Sequence, residues 1–223
     1  NCLNNFQKLI YLVYENIFGW LDDKKIFVSE SEKEVANNLI INVFNNYEII
    51  HNSVTNRSFK ENIDNKVFNY SIGIKNDKKN IISICRLVDQ KNIFEIFKIA
   101  RNLPQYNFII LGNGYLFNKA KNFLILNKIK NVYVLGNKKN VYKYLYNSQL
   151  FLSTSLYEGH PISILEAMSV GLPILASNVT GNIDTIENKI SGYYYDLGNI
   201  NQASILAKEI LEDQKLKQIF SIN

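Results

Sequence analysis

Cysteine is scarce in this sequence, which contains only Cys2 and Cys85 among its 223 residues. The two lie far apart, form no CxxC pair and have no histidine nearby, so neither a disulfide framework nor the ligand spacing of a zinc site is present. This use of cysteine fits a reducing compartment. We therefore expect a cytoplasmic protein without a metal site.

Long hydrophobic segments are also lacking. The apolar run near residues 9–21 contains Glu15 and is followed by Asp22 and Asp23, so it is too short and too charged to span a membrane. No signal-peptide pattern is recognisable, and the chain begins with Asn, as a fragment would. With 47% hydrophobic and 20% charged residues, the composition predicts a soluble globular protein with a full core.

Acidic residues are rare in the middle of the chain. Residues 76–150 carry 13 Lys and Arg against 3 Asp and Glu, whereas residues 151–223 carry 4 against 8. Such a basic block can attract phosphates, anionic lipid or nucleic acid, or it can be a solvated lysine-rich surface. Because no aromatic residues alternate with the basic ones as a stacking platform, we expect no nucleic-acid partner. A peripheral membrane contact remains a hypothesis.

The first part of the chain has a mixed pattern. Residues 6–21 predict a helix, and residues 24–31 and 47–54 predict short strands. Ser31 followed by Glu34 predicts a capping box at the start of another helix. Residues 55–79 are polar and weakly patterned, which predicts a linker.

From residue 80 onward, short β-branched runs alternate with helical patterns, which predicts an α/β fold built on a Rossmann-like parallel sheet with helices on both faces. Ligands of such sheets bind beyond the carboxyl ends of the strands. The strands are predicted at 80–85, 107–111, 131–135, 149–153, 173–177 and 192–195, and the helices near 90–102, 115–128, 139–147, 161–170 and 200–212.

The loop after the first of these strands contains Arg86 and Lys91. Two cations beyond a strand end can converge on a phosphate, although a solvated or ion-paired couple is the alternative. After the third strand, Gly136 would let the backbone approach a flat base.

Gly112 and Gly114 follow the second strand. Phe117 occupies the third glycine position of the dinucleotide-binding fingerprint, so these two glycines predict a structural turn instead.

The segment YEGHPISILEAMSVGLPILAS, residues 157–177, predicts a second part of a binding site. Pro161 suits the first position of a helix. The amides of Ile162 and Ser163, and at most also that of Ile164, would then lack partners. A helix start with free amides favours an anion such as phosphate.

Two carboxylates flank this helix start. Glu166, inside the helix, could accept hydrogen bonds from both hydroxyls of a ribose, and Glu158, before it, could reach hydroxyls farther along the same ligand. In the alternative interpretation Ser163 and Glu166 form a capping box, the helix begins at Ile164, and Glu158 is an ordinary loop acid.

Residues 155–186 resemble the signature of family 4 glycosyltransferases, the retaining group with the GT-B fold. The resemblance extends over most of residues 24–212, through CRLVDQKN, ILGNG and VYVLGNKKNVYKYLYNSQLFLSTS, and upstream through IFVSESEKEVANNL and YEIIHNSVTNRSF. The matching signature elements are Glu158-Gly159, His160, Pro161, Leu165-Glu166-Ala167-Met168, Gly171, Pro173 and Ala176-Ser177.

The resemblance implies a nucleotide-sugar donor, most commonly a UDP-sugar, and neither a metal nor another cofactor. Arg86, Lys91 and Glu158 would be the catalytic residues, because they would stabilise the leaving diphosphate and contact the donor sugar. Glu166 would hold the nucleotide ribose. The other implied donor-binding residues are Gly136, near the base, with Gly159, His160, Ile162, Ser163 and Ile164.

Three residues depart from the family pattern. Cys85 stands where glycine is usual, His160 where an aromatic residue is common, and Asp184 where glutamate is more frequent. None of them removes a proposed ligand group.

The resemblance also predicts the domain organisation. Residues 1–72 resemble only the tail of an N-terminal acceptor domain and its linker, and residues 73–223 resemble the donor-binding domain. We therefore expect a chain that binds a nucleotide sugar but transfers little alone. Its parent enzyme would be a hexosyltransferase acting on a glycan or lipid-linked acceptor at the inner membrane face. The alternatives are a non-catalytic nucleotide-sugar-binding module and an epimerase or phosphorylase on the same fold.

Overall fold

The computed structural model describes residues 5–18, 21, 23–39, 47–55 and 64–222, so Cys2 and part of the predicted linker lie outside the described residues. The two short strands of the first part pair in parallel, as a sheet of their own. The elements are α1 (Asn5–Phe18), β1 (Lys25–Phe27), α2 (Glu30–Leu39) and β2 (Tyr47–Ile49).

The predicted capping box is displaced by two residues. The backbone N–H of Glu32 donates to Ser29 Oγ at 3.1 Å, and the N–H of Val28 donates to the Glu32 carboxylate at 2.9 Å. Ser29 and Glu32 therefore make the capping interactions that the sequence predicted for Ser31 and Glu34. In SESEKE, residues 29–34, the serine–glutamate spacing recurs two residues later, so the spacing alone did not distinguish the two pairs.

The main sheet has six parallel strands, and it confirms the predicted α/β fold class. Every strand predicted after residue 80 lies within one residue of its predicted bounds, and every helix predicted there within three. The elements are α3 (Asn65–Ser71), β3 (Asn80–Ile84), α4 (Ile93–Asn102), β4 (Asn107–Leu111), α5 (Phe117–Leu126), β5 (Val132–Gly136), α6 (Tyr142–Tyr146), β6 (Leu150–Ser153), α7 (Ile162–Met168), β7 (Ile174–Ser177), α8 (Asn182–Thr185), β8 (Gly192–Tyr195), α9 (Ile200–Glu212) and α10 (Gln214–Ile222).

Helices cover both faces of this sheet. Along β4, Phe108 and Ile110 pack into one core with α4, α5 and α9, while Ile109 and Leu111 pack into a second core with α3, α6 and α7. All four side chains are essentially inaccessible to solvent. A strand buried on both faces needs apolar residues at every position, which is why its run is continuous rather than alternating.

Residues 65–71 form α3, which corrects the prediction of a linker over 55–79. The carboxylate of Asp64 caps the helix, and Phe68 is fully buried. Asn80 Nδ2, at the start of β3, donates to Asn69 Oδ1 of α3 at 2.8 Å and to the carbonyl of Asn147 at 2.9 Å. Asn69, one of the polar residues of the predicted linker, is therefore fully buried and hydrogen-bonded. The predicted boundary between residues 72 and 73 stays a prediction.

The strand order β5-β4-β3-β6-β7-β8 reverses direction between β3 and β6. At such a reversal the two connections leave toward opposite sides, and a crevice opens between the loops that follow the strands. The loop after β3 covers residues 85–92, and the loop after β6 covers residues 154–161. The predicted phosphate and sugar residues lie in these two loops.

Candidate functional site

An ion pair joins the loops that follow β3 and β6. Lys91 Nζ lies 2.5 Å from Glu158 Oε1, and the two side chains are only 14% and 9% exposed. Ser155 Oγ donates to the same carboxylate oxygen at 2.5 Å. The structure thus brings together two of the predicted site residues, and it adds Ser155, which the sequence did not single out.

Further hydrogen bonds hold the two loops against each other. Thr154 Oγ1 donates to the carbonyl of Lys91 at 3.0 Å, and the N–H of Leu156 donates to the carbonyl of Gln90 at 2.8 Å. In return, Gln90 Nε2 donates to the carbonyl of Tyr157 at 2.9 Å. The only signal for these contacts in the sequence is the polar Ser-Thr-Ser run at 153–155, directly after a buried strand.

Arg86 occupies the same loop as Lys91, but its side chain is exposed and makes no ion pair with any residue in the described ranges. The backbone around it is fixed by the turn after β4, because the N–H of Leu87 donates to the carbonyl of Asn113 at 3.0 Å. A Cβ at Gly112 would lie 1.9 Å from the carbonyl oxygen of Cys85. The predicted structural role of this glycine is confirmed, since only glycine permits so close an approach.

Cys85 lies at the end of β3, beside Lys91. Burial raises the pKa of its thiol to about 12, and the neighbouring Lys91 opposes that shift only in part. A thiol with so high a pKa is protonated at neutral pH and is a poor nucleophile. Cys85 therefore contributes a small side chain to the wall of the site rather than a reactive group.

The start of α7 corrects two predictions. Pro161 has an extended backbone and precedes the helix, which begins at Ile162, one residue later than predicted. The N–H of Ile164 donates to the carbonyl of Pro161 at 3.0 Å, so only the amides of Ile162 and Ser163 lack an acceptor among the described residues. Because Ser163 lies inside the helix, the alternative capping box with Glu166 is wrong.

Two other predicted site residues lie at the same edge of the sheet. Glu166 is half-buried on α7, and Gly136 is the last residue of β5, where its carbonyl accepts the N–H of Gly112 at 3.0 Å. β5 is separated from β3 by β4, so Gly136 lies two strands away from the loop of Lys91. Their predicted roles toward ribose and base stay predictions.

Gly159 and His160 face the first part of the chain. A Cβ at Gly159 would lie 3.0 Å from Val28 Cγ2. The ring of His160 packs on that of His51, with centroids 5.1 Å apart, and its carbonyl accepts from Asn52 Nδ2 at 2.7 Å. His160, two residues after Glu158, is thus held in place by the segment after β2.

These two histidines are the only ones in the protein. His51 Nδ1 lies 3.0 Å from the carbonyl of Val28, and because a carbonyl only accepts, this nitrogen carries the hydrogen. Burial lowers the pKa of His160, and the neighbouring His51 lowers it further, against a weaker opposing effect of Asp184. His160 Nδ1 is buried without a hydrogen-bond partner in the described structure.

Asp184, the third departure from the family pattern, ties α8 to α2. Its carboxylate accepts from Ser31 Oγ at 2.8 Å and from the Ser31 N–H at 3.3 Å. The shorter aspartate side chain therefore has a partner in the first part of the chain.

Gly181 lies directly against the backbone carbonyl of Glu158. Its φ is +82°, and a Cβ there would lie 2.5 Å from both the carbonyl carbon and the oxygen of Glu158. The N–H of Glu158 donates to the carbonyl of Thr180 at 3.0 Å. Any side chain at position 181 would displace the residue that pairs with Lys91.

The chain matches the sequence profile of the family described as "Glycosyl transferases group 1" over residues 64–223. It belongs to this family.

Curated relatives agree with the assignment. The chain is 30% identical over 160 residues to the Escherichia coli UDP-Gal:alpha-D-GlcNAc-diphosphoundecaprenol alpha-1,3-galactosyltransferase, a match that covers 68% of this chain and 41% of the relative. It is 29% identical over 143 residues to the Campylobacter jejuni N,N'-diacetylbacillosaminyl-diphospho-undecaprenol alpha-1,3-N-acetylgalactosaminyltransferase. This match covers 63% of this chain and 38% of the relative. The chain spans less than half the length of these two relatives.

Solved structures show the same fold. A Staphylococcus aureus TarM variant in complex with fondaparinux, alpha-GlcNAc-glycerol and UDP superposes with a TM-score of 0.80 at 21% identity, over 100% of this chain and 44% of that one. Anabaena HepE in complex with UDP and glucose gives a TM-score of 0.81 at 17% identity, over 99% of this chain and 61% of that one. The predicted GT-B fold is thereby confirmed.

The described residues lack two features, a membrane-spanning helix and a cluster of metal ligands. None of the helices there is long and apolar enough to cross a membrane. No group of three or more His, Cys, Asp and Glu side chains is arranged there as a metal site. The predicted independence of metal stays a prediction.

Proposed function

We propose that this chain forms the donor-binding half of a retaining family 4 glycosyltransferase, which moves a hexose-type sugar from a nucleotide sugar to a glycan or lipid-linked acceptor. The ion pair between Lys91 and Glu158, at the reversal of strand order, is the observation that carries this proposal. Two of the relatives are named for diphosphoundecaprenol-linked acceptors, and two structural neighbours were solved with UDP. These names support an acceptor of lipid-linked type and a UDP-sugar donor.

Lys91 and Arg86 would bind the donor diphosphate. An ammonium group has three donors, and Glu158 takes one of those of Lys91, so two remain for phosphate oxygens. Arg86 is exposed in the same loop and would add a planar, bidentate donor. Positive charge fixed at this place would stabilise the diphosphate as it leaves, which is the main catalytic demand of the transfer.

The carboxylates would recognise hydroxyl groups. Both described hydrogen bonds of the Glu158 carboxylate, from Lys91 and Ser155, use Oε1, so Oε2 is the atom that we propose for a hydroxyl of the donor sugar. Glu166 would accept from the two ribose hydroxyls, and the backbone at Gly136 would contact the base. The amides of Ile162 and Ser163 would complete the phosphate site, without a metal.

The activity of the whole protein is part of the proposal. Because the chain spans less than half the length of its first curated relatives, we propose that a further domain binds the acceptor and that residues 1–223 alone transfer little sugar. Robust transfer by these residues alone would contradict this. If the whole protein binds the nucleotide sugar without transfer, it is a binding module. Epimerised sugar products would instead indicate an epimerase, and phosphorolysed products a phosphorylase.

Titration calorimetry with UDP, GDP and ADP tests the donor site. We expect one nucleotide to bind, at about −8 kcal/mol for micromolar affinity, and Glu166→Ala to abolish the binding while circular dichroism shows an intact fold. Glu187→Ala, which removes an exposed glutamate, is the matched control and should bind normally. If no nucleotide binds to the folded chain, the proposed donor site is wrong for these residues.

A further inference from the structure

A groove of about 480 Å³ lies between the second half of α5 and the edge strand β5. Leu124, Ile129, Val132 and Val134 form its apolar floor. None of the residues proposed for the donor site lines this groove.

Two exposed apolar side chains end the helix beside this groove. Ile125 is 74% exposed and Leu126 is 81% exposed, the two highest values among the large hydrophobic residues that the structure describes. A single exposed leucine is ordinary on a protein surface. Two adjacent ones at the end of a helix, beside an apolar groove, mark a surface that contacts something apolar.

Cations surround both the apolar groove and the exposed pair Ile125 and Leu126. Lys121, Lys128 and Lys130 line the groove, and a second groove of about 400 Å³ shares Lys128 and Lys130 with it and adds Lys78 and Arg101. No aspartate or glutamate lines either groove in the described structure. The surface, which we call the basic groove, therefore combines an apolar floor and rim with five cations.

We propose that the basic groove docks onto an anionic lipid bilayer. Ile125 and Leu126 would enter the boundary between headgroups and acyl chains, and Lys121, Lys128 and Lys130 would contact lipid phosphates. Lysines suit this arrangement, because their stems lie along apolar surface while their ammonium groups reach outward.

The chemistry favours a bilayer over other partners. Free phosphate or a soluble nucleotide would use the cations but leave Ile125 and Leu126 in water. A second copy of the chain would place five cations against five others, which is unfavourable at short range. An anionic bilayer satisfies the charges and the apolar rim together. This inference is independent of the proposed function, because it concerns vesicle binding and requires neither a donor nor transfer.

Sedimentation with vesicles tests the inference. We expect the protein to bind vesicles that contain phosphatidylglycerol and not to bind vesicles of phosphatidylcholine alone. Lys128→Glu with Lys130→Glu should weaken the binding roughly 30-fold or more, since each lysine near an anionic surface contributes about fivefold. Leu126→Ser should weaken it several-fold, because it removes apolar area that would be buried in the bilayer.

The double variant Lys138→Glu with Lys139→Glu is the matched control, since it changes the net charge equally at two other exposed lysines of the same basic block. Equal loss in the two double variants would show diffuse attraction and overturn the proposal. So would unchanged binding by Leu126→Ser, or a dimer in solution that Lys128→Glu disrupts. If the Lys128→Glu, Lys130→Glu chain does not fold by circular dichroism, Leu126→Ser decides alone.

Discussion

Lys91 and Glu158 are 67 residues apart in the chain, yet their charged groups lie 2.5 Å apart in the fold. Both side chains are largely buried, so removing one partner leaves the other charge without compensation. We expect Lys91→Met and Glu158→Gln each to lower the free energy of unfolding by about 3 kcal/mol. The double variant should lose clearly less than the sum, as measured by urea unfolding.

If the losses in the free energy of unfolding of the two single variants add up to that of the double variant, the two residues do not interact. The surface pair Lys208 and Glu212 is the control, because its atoms lie 4.0 Å apart and both side chains are 55% exposed. Its coupling should be within about 0.5 kcal/mol of zero.

Arg86 should behave differently from Lys91, because it is exposed and makes no described ion pair. We expect Arg86→Ala to weaken nucleotide diphosphate binding roughly tenfold or more while the free energy of unfolding changes by less than about 0.5 kcal/mol. Calorimetric titration and urea unfolding of the same sample measure both quantities. Undiminished affinity would remove Arg86 from the proposed phosphate site.

Gly181→Ala should disturb the proposed site by displacing the backbone of Glu158, which would lie 2.5 Å from the new Cβ. Gly198→Ala is a matched control, since Gly198 has nearly the same φ, +86°, but no atom within 4 Å of its Cβ position. Both variants bear the strain of a positive φ, about 1 kcal/mol. Only Gly181→Ala should also lose nucleotide affinity, and equal affinities in the two would contradict this account.

The burial of His160 and its contact with His51 should make stability depend on pH. Because the pKa of His160 is lowered in the folded chain, the unfolded chain takes up a proton first as the pH falls through about 6.5. The contribution of His160 to stability is therefore constant above that pH and decreases below it, until the folded histidine is also protonated.

Urea unfolding at pH 7.5 and pH 5.5 measures this effect in the native chain and in His160→Asn. We expect a smaller decrease in the variant, which no longer takes up this proton. His51→Asn should act in the same direction, because it removes one cause of the lowered pKa. Identical pH profiles of all three proteins would show that this contact does not control the titration.

Asn80 should be important for stability although it bears no charge. It is fully buried, and its amide nitrogen donates to Asn69 and to the carbonyl of Asn147 while its oxygen accepts from Asn107. Asn80→Ala would leave several buried polar atoms without partners, and we expect it to lower the free energy of unfolding by about 3 kcal/mol. The exposed Asn118→Ala should have little effect, and an equally small effect at Asn80 would contradict this prediction.

The four inner strands of the main sheet were predictable because each of them is buried on both faces. Phe108, Ile109, Ile110 and Leu111 read as one apolar run for that physical reason. Lys91 and Glu158 were predictable as site residues because they follow such strands. That they pair with each other was not, since no local pattern specifies a contact across 67 residues.

Features that depend on side-chain contacts across the fold were missed. The linker prediction failed at α3, because Asn69 and its partners are polar in sequence but buried in the structure. The contact of His51 with His160 was not foreseen, since the two lie more than one hundred residues apart. The supporting hydroxyls of Thr154 and Ser155 gave only the weak signal of a polar run after a strand.

The pairing of β3 with β6 also has a consequence for how the chain folds. Ser83 and Leu152, on these two strands, are hydrogen-bonded although 69 residues separate them, whereas β3 and β4 come together over a shorter loop. Contacts between distant segments form late, because closing a long loop costs entropy before the contact repays it. The half-sheet β3-β4-β5 can therefore assemble first, and the ion pair of Lys91 with Glu158 forms only when β6 joins it. Its appearance would report the joining of the two halves of the sheet.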